Sequence, residues 1–201
     1  MPGRQKSAMA SPEWGLASVC AVSIMARTTV MALIPVIGYL ILGTAQHVSE
    51  LYFAASVIGI ATSLVLPKLL LRMGRWPIFI SAAISGIGSA AALSSGTLPG
   101  LIAGLVFHVL MVLIFETVLS LYILQYVPRR SLSSFEPRRM LLGGIAYGLG
   151  PWLGTWLTEN VGTWSPLALS AVCAILVPVS IVLLKPASEA RASAPLASAG
   201  P

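Results

Sequence analysis

Charge is what this sequence has least of. Only 9% of its 201 residues are charged, against roughly a quarter in an ordinary soluble domain, and 57% are hydrophobic. That shortage excludes an ordinary water-soluble globular fold and points to long apolar runs crossing a bilayer. Cysteine is nearly missing. Cys20 and Cys173 both lie inside apolar runs and read as small packing residues, not as a disulfide. Histidine occurs once within the apolar runs, as His108. There is no nucleophile elbow, no His-Glu metal pattern and no phosphate loop. No enzyme is expected, and neither catalytic nor metal-binding residues nor a bound cofactor. The net charge of +6 does not imply nucleic acid as a partner, because the basic residues fall in short connectors instead of on one continuous face.

What the sequence does contain is a series of six apolar segments, at approximately 16–42, 51–70, 78–93, 101–126, 140–157 and 165–184. Each is long enough to cross a bilayer as a helix, the third and fifth being short. Helix is required of such runs because their backbone groups must be satisfied internally. The 18 Gly and 14 Pro are compatible with this, since membrane helices tolerate both. The expected fold is therefore an all-α integral membrane protein with six transmembrane helices, its domain spanning 15–185. A tail at 1–14 precedes it. The Ala-, Ser- and Pro-rich stretch 186–201 has no periodic apolar face and reads as a disordered tail.

The connectors alternate in charge. Arg4 and Lys6 precede the first span, Lys68, Arg72 and Arg75 follow the second, Arg129, Arg130, Arg138 and Arg139 follow the fourth, and Lys185 and Arg191 follow the sixth. The other connectors, "TAQHVSE", "SSGTLPG" and "TENVGT", hold no Lys or Arg, so 11 of the 12 basic residues fall on one side. The positive-inside rule makes that side, with both termini, cytoplasmic, and the setting a multi-pass protein of an inner or plasma membrane. A rival reading takes the first apolar stretch as a secretory signal peptide. Against it, the apolar pattern resumes beyond Arg27, and cleavage would upset the charge alternation.

On this frame, "LPKLLLRMGRWP" is the connector between spans two and three. It resembles the cytoplasmic signature loop of the major facilitator superfamily, G-x-x-x-D-R-x-G-R-R, through Arg72, Gly74 and Arg75. "AYGLGPWLGTWL" resembles that family's fifth-helix antiporter motif, G-x-x-x-G-P-x-x-G, through Gly150, Pro151 and Gly154, with Ala146 at the first glycine. The resemblance covers about 14–186. It departs at Pro67 and Leu71, which stand where the family has its loop glycine and its latch acid, and in lacking the fourth-helix arginine motif. The family has twelve or more helices. The likeness is to its N-terminal six-helix half, which implies a 3+3 inverted repeat.

The motifs also have plainer accounts. Gly74 supplies backbone freedom for a tight turn. Arg72 and Arg75 serve either as topology markers or as cations at helix ends and lipid phosphates. Gly150 and Gly154 form a small-xxx-small pair suited to close helix packing, and Pro151 a bend; functionally, the same features would make a bending helix. Pro35, Gly38 and Pro178 are further candidate bends.

Three ionisable residues lie within spans: Arg27 in the first, His108 and Glu116 in the fourth. At ~1.5 Å per residue, Arg27 lies ~16 Å and Glu116 ~15 Å from the cytoplasmic ends of their spans. Charges at that depth face a cavity or a partner, so Arg27 and Glu116 are expected to approach as an ion pair. The pair is either a structural salt bridge or one that opens for substrate or proton. His108, two turns from Glu116 and offset by roughly 80°, is a packing residue or a proton relay.

The resemblance implies a secondary transporter of a small molecule, working by proton-coupled efflux or antiport. It would need a second six-helix half, supplied by a second copy or a separate chain. The alternative is a degenerate or accessory six-helix protein that binds a partner without transporting.

Overall fold

Apolar runs without breakers become helices wherever backbone groups have no water to bond. The computed structural model describes residues 12–192, and they are helical almost throughout. The helices are α1 (Pro12–Met31), α2 (Leu33–Leu42), α3 (Ala45–Met73), α4 (Arg75–Ser94), α5 (Leu98–Tyr126), α6 (Leu132–Asn160) and α7 (Ser165–Ala192), with a 3-10 turn at Arg129–Ser131 before α6. No strand occurs among the described residues. Five helical stretches are long and apolar enough to cross a membrane, namely α1 with α2 together, α3, α4, α5 and α7. The chain is thus an all-helical, multi-pass membrane protein.

Several boundaries differ from those expected. The first span is two helices, broken at Ala32. Pro35 explains the break, because it has no N–H to give the carbonyl of Met31 and its ring crowds that carbonyl. Helices elsewhere run beyond the apolar segments: α3 begins at Ala45, α4 covers Arg75–Ser94 and α6 begins at Leu132, so Arg138 and Arg139 sit on a helix and not in a connector. Hydropathy senses only the bilayer core, whereas backbone hydrogen bonding continues through polar residues at its edge. The segment 140–157 is not among the five apolar stretches. Its Gly143, Gly144, Gly148, Gly150, Gly154, Pro151, Trp152 and Trp156 contribute little hydropathy. α7 continues to Ala192, past the expected end of the domain at 185. The remaining tail residues, 1–11 and 193–201, lie outside the described residues.

α1 lies between α6 and α7, α4 lies between α5 and α7, and α3 packs on the far side of α5. Two cores hold the assembly. One is rich in aromatics, with Phe79 edge-on to Phe115 at 5.5 Å and tilted against Tyr122 at 5.9 Å, beside Leu16, Phe135 and Ile181. The other, aliphatic, joins Val30, Leu33, Ile34, Ala55, Leu93, Leu101, Leu105 and Leu167. The basic connectors share the aromatic end. Arg138 covers the Trp14 ring at 5.2 Å, Arg75 donates to Gln125 Oε1 across the ends of α4 and α5, and Gly15 abuts Leu184.

Candidate functional site

The site begins with the way α1 is held around residue 27. Ala26, Thr28 and Thr29 are fully buried. On one side, the buried Ser170 hydroxyl of α7 donates to the Ala26 carbonyl. On the other, Thr28 Oγ1 donates to the Ile24 carbonyl at 2.9 Å and reaches the Ala146 carbonyl of α6 at 3.3 Å. The hydroxyls satisfy themselves on carbonyls, so α1 presents a smooth, bonded surface to both neighbours.

Gly150 and Gly154 meet that surface. A Cβ at Gly150 would stand 2.6 Å from Thr28 Cβ, and one at Gly154 would collide with the Thr29 backbone. The two glycines of the fifth-helix motif therefore seat α6 directly on α1, one residue from Arg27. Pro151 lies inside α6 without interrupting it.

Arg27, emerging between these contacts, is 18% exposed. It donates through Nη1 to Glu116 Oε1 of α5. Its guanidinium also lies over the Tyr147 ring of α6, 4.7 Å from the centroid, a cation–π contact. Three helices thus converge on one cation. Glu116 is different, at 55% exposed. The Arg27 Nε–H and the His108 Nδ1 are both buried with no hydrogen-bond partner among the described residues. The structure brings Arg27 and Glu116 together but gives neither a hydrogen bond to His108.

The pair lies at one end of a cleft of about 250 Å³ lined by Cys20, Ser23, Ile24 and Arg27 of α1, Glu116, Leu119, Ser120 and Ile123 of α5, and Arg139 of α6. From Arg27 to Cys20, or from Glu116 to Ile123, is seven residues, so the cleft runs roughly 10 Å along the helices toward the basic end. At that end Arg139 chelates Glu136 through Nε at 3.1 Å and Nη2. The hydrogen bond from Arg139 holds the Glu136 carboxyl below its ordinary pKa, and the same bond raises that of Arg139.

Arg72, Gly74 and Arg75 do not line the cleft. Gly74, at φ +79°, is the single residue separating α3 from α4, a left-handed turn that favours glycine. Arg72 closes the last turn of α3. Leu71 is 90% exposed.

Sequence reasoning missed Cys20, Ser23, Ser120, Arg139 and Tyr147. Helical spacing held the signal for three of them. Ser23 and Cys20 are four and seven residues before Arg27, and Ser120 is four after Glu116, so each shares the face of its charged partner. Tyr147 and Arg139 carry no such mark, because only the seating of α6 on α1 brings them in. Compared with protein-family models, curated proteins and solved structures, the chain matches none.

Proposed function

We propose that this protein is a proton-coupled secondary transporter of the major facilitator type, contributing one six-helix half of the pathway. In this reading α1 with α2, then α3 to α7, form six spans in a 3+3 repeat, with the basic end cytoplasmic. The observation that carries it is the Arg27–Glu116 pair at one end of a cleft that runs toward the basic end. A half-exposed carboxylate some 15 Å into a bilayer needs water or a further protein surface against it, not lipid. A second six-helix unit, another copy or another chain, would supply that surface.

The packing supports the repeat. Exchanging the first three spans for the last three turns the α1·α6 contact into α5·α3, α1·α7 into α5·α4 and α6·α7 into α3·α4, while α4·α7 and α1·α5 map onto themselves; all of these contacts are present. Mechanistically, Glu116 takes a proton, its hold on Arg27 weakens, and the floor of the cleft opens. α6, seated on α1 by Gly150 and Gly154, moves with it as one body.

The test is solute flux in proteoliposomes with and without a pH gradient. Glu116→Gln is expected to abolish the dependence on the gradient, and unchanged coupled flux would remove Glu116 from the proton role. Leu71 favours a second reading, an accessory protein without flux, since an exposed leucine makes no latch. A strictly monomeric chain that moves no solute would select it.

A further inference from the structure

The cleft's lining carries two guanidiniums, Arg27 and Arg139, and one carboxylate, Glu116; Arg139 is already held by Glu136 through two bonds, whereas Arg27 shares a single bond with Glu116. Arg27 is fixed, packed over Tyr147 and mostly buried, whereas its carboxylate partner is half exposed. Arg27 also uses little of its capacity. Of its donor nitrogens only Nη1 has a hydrogen-bond partner among the described residues, and the buried Nε–H has none. A guanidinium fork matches a planar or tetrahedral oxyanion through two parallel bonds, and a single bond to Glu116 leaves that geometry unused. The Ser23 and Ser120 side chains add neutral polarity, and Ile24, Leu119 and Ile123 an apolar wall, the mixture found in small-molecule sites.

We propose that the Arg27 end of the cleft binds a small organic anion, a solute bearing a carboxylate or phosphate, which takes Arg27 from Glu116. This deepens the transporter reading and rests on it. As the anion pairs with Arg27, Glu116 accepts one proton from the water of the cleft and becomes neutral. One negative partner replaces another, so the net charge of the site is unchanged and no uncompensated cation is left in the membrane. The other titratable groups that share the cleft with Glu116 are Arg27 and Cys20 from α1 and Arg139 from α6, the last carrying Glu136 on its guanidinium.

Ser120 lines the cleft one turn from Glu116 and is exposed, which makes it the position for a thiol probe, whereas Cys20 is buried. The experiment uses the full chain carrying Cys20→Ala, Cys173→Ala and Ser120→Cys, in lipid nanodiscs. The introduced thiol is reacted with methanethiosulfonates of similar size bearing a sulfonate or a trimethylammonium, each rate divided by that for a free thiol. The sulfonate is expected to react about tenfold faster, a typical factor for a focused local potential. Glu116→Gln should widen the preference, and Arg27→Gln should remove most of it. If Arg27→Gln does not fold, Arg139→Gln should lower the preference at the mouth. Equal rates, a preference for the cation, or no reaction with either reagent would overturn the proposal. Proton-coupled flux without the anion preference would overturn this inference and leave the transporter reading standing. An anion preference without flux would support the site and remove the transport.

Discussion

α1 and α3 differ little in apolar character, yet they occupy different environments. In the stretch from α1 through α2, 44% of the apolar window is buried inside the protein; in α3 only 17% is. The difference lies in the small and hydroxyl-bearing residues. Around Arg27, α1 offers Ala26, Thr28 and Thr29, which let α6 and α7 approach to backbone contact. α3 turns Phe53, Ile60, Leu64, Val65 and Leu71 outward, and its Gly59 meets only the side-chain tips of Val109 and Leu113. Hydropathy separates membrane from water, and side-chain volume separates protein interior from lipid.

The comparison breaks most sharply at the glycines. Gly154→Leu should destabilise the protein by about 3 kcal/mol, the upper part of the overpacking range, because the added carbons meet Thr29 backbone and not a movable side chain. Gly59→Ala should stay within about 1 kcal/mol, since the Val109 methyl at 3.1 Å can shift. Reversible unfolding in mixed micelles distinguishes the two. A comparable loss at both positions would mean that α3 is held as tightly as α1.

The ion pair comes next. Glu116→Gln or Arg27→Gln alone should cost about 1–3 kcal/mol, between exposed and buried pairs, because one partner is half exposed. The double variant should recover part of that loss, and a double-mutant cycle reads the coupling directly. Simple additivity would show the pair to be energetically idle.

Smaller still is Thr28→Val, which removes the hydroxyl that reaches Ala146 and should cost about 0.6–1.7 kcal/mol. Ser63→Ala on the exposed side of α3, where the hydroxyl bonds only to its own helix, should change thermal stability negligibly.

A small effect is also expected from pH. Glu136 is depressed in pKa by its bond to Arg139, so the pair stabilises the folded state above the ordinary carboxylate pKa and loses that contribution as pH falls through the lowered value. The pair is exposed, so solvent screens it. Subtracting the melting profile of Glu136→Gln from that of the native chain between neutral and acid pH isolates the contribution, which should decline on acidification.

Much of the helical layout was legible in the chain, because long apolar runs leave the backbone no alternative to helix. The breaks were less so. Pro35 was readable as a bend, but its placement of the discontinuity at Ala32 required the helix itself. Matching depth put Arg27 and Glu116 at one level, which is one coordinate of three. That they meet, and that Tyr147 and Arg139 join them, depends on rotation about each helix axis and on which neighbours touch. The glycines of the fifth-helix motif carried the packing signal, and Thr28 and Thr29, their partners, were unmarked.

By itself the sequence determined an apolar, helical, multi-pass membrane chain, because composition sets the solvent and the solvent sets the hydrogen bonding. The tertiary structure alone decided that α6 lies on α1, that α3 stays at the periphery, and that a cation and a carboxylate on separate helices line a shared cleft. Those facts follow from which small surfaces fit against each other. That fit is a property of pairs of helices and is written in neither one alone.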